Sequence, residues 1–358
     1  MNNKIVVYQV LTRLFGNTNT TNKPWGTKEE NGVGKFSDFT EKALLEIKKL
    51  GATHIWFTGV LHHALTTDYT AYGISNDFPA VVKGRAGSPY AIKDYYSVNP
   101  DLADDPTHRL EEWEALIART HQCGLKVIMD IVPNHVARRY ESIAKPKGIR
   151  GFGEDDDTSV QYAVNNNFYY NPNEAFQLPE GIYGEYHEFP AKWTGNGARA
   201  SKPDRNDWYE TVKLNYGVRP DGTKDFATLP VGFENEDTET HYRFWQDQIV
   251  PNTWQKFKDI ALYWLAKGVD GFRYDMAEMV PVEFWSYLNS TIKHQNPEAF
   301  LLAEVYNPNE YRPYLHLGKM DYLYDKVQLY DTLRAIVSYG HTTDAIAPIQ
   351  RELADISD

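Results

Sequence analysis

Short apolar runs alternate along the chain with segments in which apolar residues recur every three or four positions. The apolar runs predict strands at residues 4–10, 53–58, 125–131, 269–274 and 300–305, with a candidate sixth at 321–324. The amphipathic segments predict helices at residues 38–50, 105–124, 252–267, 281–292, 330–338 and 343–356. Apolar strands separated by helices indicate a parallel sheet that is buried on both faces.

Two α/β folds contain such a sheet, the (β/α)8-type TIM barrel and the doubly wound sheet. A doubly wound nucleotide-binding fold requires a glycine-rich turn after an early strand. The sequence contains neither a G-x-G-x-x-G motif nor a P-loop. We therefore predict a barrel, incomplete in this chain, with about six strands.

Residues 136–250 break this alternation. They are rich in Asn, Gly, Tyr and Pro, and the stretch 208–216 alternates as a strand does. Because a structureless loop of that length is improbable in a compact domain, we predict a small β-rich subdomain inserted after the third strand. The barrel is then divided into residues 1–135, with strands one to three, and residues 251–358, with strands four to six and their helices.

Composition narrows the classes of function. The net charge of −12 argues against a nucleic-acid-binding protein and against binding to an anionic membrane surface. No apolar run approaches the roughly 20 residues of a membrane-spanning helix, and Cys123, the one cysteine, excludes an intrachain disulfide. The first ten residues are too weakly apolar for a signal peptide, which leaves a cytoplasmic protein or an exported protein written without its leader. The aromatic content of 14 % suits a sugar-binding surface, but on composition alone a tyrosine-rich core and loops explain it better.

Carboxylates stand at the ends of three neighbouring predicted strands. Asp130 ends the third strand, Asp275 the fourth and Glu304 the fifth, and the carboxyl ends of the strands are where a barrel carries its chemistry. Asp275 and Glu304 are 29 residues apart, which fits one strand–helix–strand unit and predicts neighbouring strands about 4.8 Å apart. A retaining glycosidase requires two carboxyl groups about 5–5.5 Å apart, so this spacing predicts that chemistry.

Arg273 lies two residues before Asp275 and therefore on the same face of the strand. Its guanidinium is expected to hold Asp275 ionised, as a nucleophile must be. The apolar neighbours of Glu304 favour the protonated form that a general acid requires. An isolated Arg-x-Asp pair would be a structural salt bridge, but the matching positions of Glu304 and Asp130 favour a catalytic role.

Four ordered segments make the sequence similar to the alpha-amylase family of retaining glycoside hydrolases. They read DIVPNH at 130–135, GFRYD at 271–275, AEV at 303–305 and SPYAIKDY at 88–95. The resemblance covers nearly the whole chain, and it also implies a barrel with a subdomain inserted after the third strand. It implies that Asp275 is the nucleophile, that Glu304 is the acid/base and that Arg273 orients the nucleophile.

The same resemblance implies the residues that bind the substrate. Tyr90 stacks on the sugar in the cleavage subsite, His135 contacts the same sugar, and Asp130 supports the site. Asn134 becomes a candidate ligand for a structural calcium ion, whereas the chemistry itself requires no cofactor. The adjacent pair His62 and His63 is more simply explained as loop histidines than as metal ligands.

The sequence departs from the family pattern at two places. The family's third carboxylate belongs to an Asn-His-Asp-like motif after the seventh strand, and this motif does not occur here. The predicted strands stop at the sixth, so we expect a chain that ends before the last two strands and the C-terminal domain. Asp344, Asp355 and Asp358 are poor substitutes for the third carboxylate. Glu278 and Met279 stand where many alpha-amylases carry the Lys-His pair that holds the leaving sugar.

The sequence therefore predicts hydrolysis of α-1,4-linked glucans or maltooligosaccharides by a retaining double displacement. The expected partner is the glucan or oligosaccharide substrate, without nucleic acid and without membrane insertion. Two alternatives stay open: a transglycosylase or α-glucosidase of the same family, and a non-catalytic glucan-binding barrel that lacks the third carboxylate.

Overall fold

The structure is a computed structural model that describes residues 4–357. Its strands are β1 (Val7–Leu11), β2 (His54–Thr58), β3 (Leu61–His63), β4 (Ile92–Val98), β5 (Lys126–Ile131), β6 (His135–Ala137), β7 (Tyr170–Asn171), β8 (Ala191–Lys192), β9 (Thr211–Lys213), β10 (Gly271–Tyr274), β11 (Phe300–Ala303) and β12 (Tyr322–Leu323). Its helices are α1 (Lys28–Asn31), α2 (Glu41–Lys49), α3 (Arg109–Gln122), α4 (Thr238–Gln246), α5 (Asn252–Ala266), α6 (Val282–Gln295), α7 (Tyr311–His316), α8 (Asp331–Tyr339) and α9 (Ile346–Ser357).

A parallel sheet organises the molecule. Its strands lie in the order β1-β2-β5-β10-β11-β12, and every neighbouring pair is parallel. These are the six strands that the apolar runs predicted, including the candidate sixth, and six strands in this order form an open part of a (β/α)8 barrel. The predicted incomplete barrel is therefore confirmed for residues 4–357.

Helices α2 and α3 end close to the predicted residues, but they begin at Glu41 and Arg109 rather than at the predicted residues 38 and 105. Thr40 caps α2 by accepting a hydrogen bond from the backbone N–H of Ala43, and Asp105 caps the short turn that leads into α3. Gly51 and Gly124 follow α2 and α3 with φ of 89° and 71°, a backbone conformation that favours glycine. Helix α3 packs against β5 and β4, and α5 packs against β4 and α6.

Large aromatic side chains fill much of the space between the helices and the sheet. Trp113, Trp254, Trp264 and Trp285 are fully buried. Trp264 donates its indole N–H to the carbonyl of Tyr95 at 2.8 Å, so its polar atom is paired inside the core. Much of the aromatic content therefore serves packing, and the composition by itself does not identify a sugar-binding surface.

The segment after β5 forms small antiparallel units. β6 pairs with β9, and β7 pairs with β8. The segment also contains α4, which was not predicted because only two of its residues are buried, and one of them, His241, is polar. The predicted limits of this subdomain, residues 136 and 250, remain predictions.

A second unpredicted pair, β3 and β4, is antiparallel and lies beside the sheet. The connection between these two strands carries Tyr90, so it positions a predicted substrate-binding residue above the carboxyl ends of the strands. None of the helices within residues 4–357 is long and apolar enough to cross a membrane.

Candidate active site

The register of three central strands brings the predicted catalytic residues together. Arg273 on β10 is paired with Asp130 on β5 and, on its other side, with Leu302 on β11. One step further, the backbone N–H of Asp275 donates to Ile131 O at 2.9 Å, and that of Glu304 donates to Tyr274 O at 3.0 Å. The parallel register therefore places Asp275 and Glu304 side by side at the carboxyl ends of neighbouring strands.

The guanidinium of Arg273 lies among all three carboxylates. Its Nη1 is 2.7 Å from Asp275 Oδ1 and 3.3 Å from Asp130 Oδ1, and its Nη2 is 2.7 Å from Glu304 Oε2. Its Nε donates to the hydroxyl of Tyr324 at 3.0 Å. The sequence predicted the contact with Asp275, whereas the structure adds the contacts with Asp130 and Glu304.

One cation shared by three buried carboxylates changes the expected electrostatics. Burial, together with the nearby charge of Glu304, raises the pKa of Asp275 to about 7, and Arg273 offsets this rise only in part. Burial likewise raises the pKa of Asp130 to about 6. The expectation that Arg273 keeps the pKa of Asp275 low is therefore corrected, because burial of the carboxyl outweighs the guanidinium, which also contacts two other acids.

Glu304 is fixed by groups on two loops. Its Oε2 accepts the backbone N–H of Met276 at 2.9 Å, and its Oε1 accepts the hydroxyl of Tyr306. Met276 has a left-handed backbone with φ of 47°, which is strained for a residue with a side chain and aims its N–H at Glu304. Glu278 accepts the backbone N–H of Tyr306 at 2.9 Å, so this carboxylate holds the loop that carries the tyrosine.

A cavity of about 240 Å³ opens in front of Asp275. Its lining includes two predicted sugar contacts, Tyr90 and His135, together with Trp208 and Glu210. Burial and the charge of Lys213 lower the pKa of His135 to about 3, so its ring is neutral at ordinary pH. The arrangement thus offers an aromatic face, a neutral imidazole and a carboxylate to one small polar ligand.

Asp130, which the sequence analysis grouped with the substrate-binding residues, does not line this cavity. Its Oδ2 accepts the indole N–H of Trp56 at 2.8 Å, and its Oδ1 faces Arg273. Because both oxygens contact protein groups, Asp130 acts on the site through Arg273.

The sequence model of the alpha-amylase catalytic domain matches residues 9–218. The chain belongs to the alpha-amylase family. Alpha-amylase 3 of Dictyoglomus thermophilum is 23 % identical over 320 residues, which are 86 % of this chain and 44 % of that protein. The chain thus spans less than half the length of this curated relative.

Two further relatives differ in how much of the chain they match. An alpha-1,4-glucan:maltose-1-phosphate maltosyltransferase of Cereibacter sphaeroides is 33 % identical over 122 residues, which are 34 % of this chain and 19 % of that protein. A solved structure of the cyclic alpha-maltosyl-(1→6)-maltose hydrolase from Arthrobacter globiformis, in complex with maltose, matches with a TM-score of 0.60 and 16 % identity. It covers 99 % of this chain and 62 % of the hydrolase, and at this identity it shows the shared fold.

The surroundings of Asn134 do not fit a calcium ion. Its Oδ1, the atom that would bind calcium, accepts a hydrogen bond from the ammonium of Lys213, and its Nδ2 donates to Gly195 O at 2.9 Å. A cation at this position would be repelled by the lysine. Within residues 4–357, no group of three or more His, Cys, Asp or Glu side chains could hold a metal ion. His62 and His63 are buried in strand β3, so the prediction that they are loop histidines is wrong.

Several residues that contact the candidate catalytic residues were not predicted from the resemblance to the alpha-amylase family. Trp56 holds Asp130, Tyr306 holds Glu304, and Tyr324 accepts a hydrogen bond from Arg273. Tyr306 and Tyr324 follow or end predicted strands, so their positions were a usable signal. Trp208, whose ring centre is 5.4 Å from that of His135, comes from the inserted segment and gave no such signal.

Two of the aspartates weighed as a third carboxylate lie away from the buried cluster. Asp344 and Asp355 are exposed on the surface, in the short turn before α9 and in α9 itself. Asp358 lies outside the described residues. Neither Asp344 nor Asp355 is buried with Asp275 and Glu304.

Proposed function

We propose that this chain provides the nucleophile and the acid/base of a retaining glycoside hydrolase that acts on α-1,4-linked glucans or maltooligosaccharides. The observation that carries the proposal is the pair Asp275 and Glu304, side by side at neighbouring strand ends and bridged by Arg273. The cavity that contains Tyr90 and His135 lies in front of Asp275. Relatives named as an alpha-amylase and as a hydrolase of a maltosyl-maltose support the substrate class.

The first step forms a covalent intermediate. With a sugar ring stacked on Tyr90, a carboxylate oxygen of Asp275 attacks the anomeric carbon while Glu304 gives its proton to the departing glycosidic oxygen. The bond from that carbon to the leaving sugar breaks as the ester to Asp275 forms. Arg273 contacts both carboxylates and therefore stabilises negative charge on either of them.

The second step hydrolyses the ester. Glu304, now ionised, takes a proton from water, and the water oxygen attacks the same anomeric carbon while the carboxylate of Asp275 departs. Two displacements at one carbon retain its configuration. The neutral ring of His135 can donate one hydrogen bond to a hydroxyl of the bound sugar and accept another.

The proposal is tested by measuring reducing-end release from maltooligosaccharides by the chain and by Asp275→Asn and Glu304→Gln. We expect turnover by the parent and a loss of at least about a thousandfold in Asp275→Asn, because the amide is a poor nucleophile. Circular dichroism of each variant checks that the fold persists. Turnover that survives in Asp275→Asn removes this residue as the nucleophile.

A transglycosylase is a second candidate, favoured by the match to a maltosyltransferase over 122 residues. In that case an acceptor sugar replaces water in the second step, and products longer than the substrate accumulate. Chromatography of the products with a maltooligosaccharide substrate separates the two activities. Glucan binding without any turnover supports instead a non-catalytic binding protein.

A further inference from the structure

A second and larger cavity, of about 840 Å³, borders the candidate active site. It is lined by the loop that follows β1 and by two stretches of the connection between β3 and β4. Lys83 lines the catalytic cavity, and the next residue in the chain, Gly84, lines the larger one. The two cavities therefore share one wall, formed by residues 83–88.

This wall is held firmly. Its Arg85 carbonyl accepts the backbone N–H of Thr66 at 2.9 Å, and its Ala86 carbonyl lies 3.0 Å from Nε2 of His63. Gly87 passes so close to the carbonyl of Ala64 that a Cβ atom would lie 1.7 Å from its oxygen. The path from one cavity to the other is therefore a fixed surface.

An exposed tryptophan stands at the larger cavity. Trp25 is 76 % exposed, and its backbone is left-handed with φ of 58°. At this exposure most of the ring surface of Trp25 is open to a ligand. Its indole N–H has no hydrogen-bond partner within the described part of the chain, and it remains available to a ligand.

The loop that presents Trp25 is ordered by its own side chains. The Asn31 side chain accepts the backbone N–H of Lys23 at 2.7 Å and donates to its carbonyl at 2.9 Å. Thr27 and Glu30 form a capping box at the start of α1. The tryptophan is thus presented by a braced turn whose geometry exists before any ligand arrives.

The other lining groups fit a neutral, hydroxyl-rich ligand. They include the amide of Asn22, the hydroxyl of Thr67 and the guanidinium of Arg85, and these three side chains form no hydrogen bond to residues of the described range 4–357. Cations and the carboxylates Glu29 and Asp68 occur together in the lining, so the cavity does not select an anion. A flat aromatic face beside mixed donors and acceptors is the chemistry that holds a sugar ring.

We propose that the larger cavity is a second glucan-binding subsite, in which a substrate that extends from the catalytic cavity crosses the wall at residues 83–88 and stacks a sugar ring on Trp25. The proposal rests on the proposed function and adds a preference for long chains. A short oligosaccharide fills only the catalytic cavity, whereas a longer one also reaches Trp25.

The test measures binding by isothermal titration calorimetry in the full chain carrying Asp275→Asn, so that turnover does not consume the ligand. Maltotriose and maltoheptaose are the two probes. We expect maltoheptaose to bind roughly tenfold more tightly, the gain from about one aromatic contact. Trp25→Ala should remove this gain, and Arg85→Ala should reduce it.

The matched control is Tyr183→Ala, which truncates another aromatic side chain that is 88 % exposed and should keep the gain in full. Equal affinity for the two sugars, or a gain that survives Trp25→Ala, overturns the inference while the proposed function stands. Binding of neither sugar overturns the proposed function as well, so the two failures are distinguishable. Circular dichroism excludes unfolding of the variants.

Discussion

Replacing Asp275 by Asn should stabilise the folded chain at neutral and alkaline pH, although it removes an ion pair with Arg273. The buried carboxyl has a pKa of about 7, raised from the ordinary value of 3.8 by burial and by Glu304. Between these two values the folded state binds a proton that the unfolded state has released. The stability of the parent therefore falls as the pH rises from 3.8 to about 7. The amide side chain of Asp275→Asn does not titrate, so the variant lacks this loss.

The magnitude follows from the width of the window. A rise from 3.8 to about 7 is roughly three pH units, and each unit is worth about 1.4 kcal/mol. The variant should thus resemble the parent near pH 4 and exceed its stability by up to about 4 kcal/mol at pH 8. The amide oxygen still accepts from Arg273 Nη1, so the geometry needs no rearrangement.

The assay is urea unfolding followed by circular dichroism at several pH values between 4 and 8, with equal m-values required of parent and variant. Asp247→Asn is the control, because it removes the same negative charge from an exposed position. The reasoning is refuted if Asp275→Asn loses stability relative to the parent as the pH rises. That result would mean that Arg273 holds the pKa of Asp275 below its ordinary value, as the sequence alone suggested.

Three other predictions follow from the same contacts. Arg273→Met should lower the free energy of unfolding by about 3–5 kcal/mol at pH 8, and by less at pH 5, because it leaves three buried carboxylates without their cation. Urea unfolding measures this loss. The control Arg243→Met, which breaks an exposed ion pair with Glu239, should lower the free energy of unfolding by less than about 1 kcal/mol. An equal cost for Arg273→Met at both pH values would contradict it. Trp56→Phe removes the hydrogen-bond donor to Asp130 and should lower the free energy of unfolding by about 1–3 kcal/mol. The loss should be larger at pH 8 than at pH 5, because burial raises the pKa of Asp130 to about 6 and the hydrogen bond from Trp56 lowers it. The control Trp264→Phe, which loses a hydrogen bond to a backbone carbonyl, should show no such pH dependence. Calcium or a chelator should leave the melting temperature unchanged, because the ammonium of Lys213 lies on Asn134 Oδ1, and a calcium-dependent rise of several degrees would refute this.

Much of the fold was available from local pattern. The six apolar runs became the six strands of the sheet. The central strands β2, β5, β10 and β11 are buried along almost their whole length, which favours continuous apolar runs, whereas the edge strands β1 and β12 are partly exposed. The carboxylates at the strand ends were also visible, since parallel strands end at a common edge. The C-terminal ends of α2 and α3 were predictable, because Gly51 and Gly124 act within one turn of the chain.

The short strands and helix α4 could not be predicted from the local sequence pattern. The three-residue strands β3 and β6 are too short for an alternating pattern to show. Helix α4 buries only two residues, and one of them, His241, is polar, so it shows no apolar period. They form because long-range neighbours bury them. Trp208 reaches His135 only because the inserted segment folds back over the strand ends.

The sequence by itself determined which residues form the candidate catalytic set, because the strand and its terminal acid are neighbours in the chain. Only the tertiary structure decided how their charges are balanced. Arg273 is two residues from Asp275 but 143 from Asp130, and both contact the same nitrogen. Whether a carboxyl is ionised depends on burial and on all charges within a few ångströms, and these are set by strand register rather than by neighbours in the chain. The sequence therefore identifies the acids, while packing sets their pKa values. Packing also places the ammonium of Lys213 on Asn134 Oδ1, the oxygen that was expected to bind calcium.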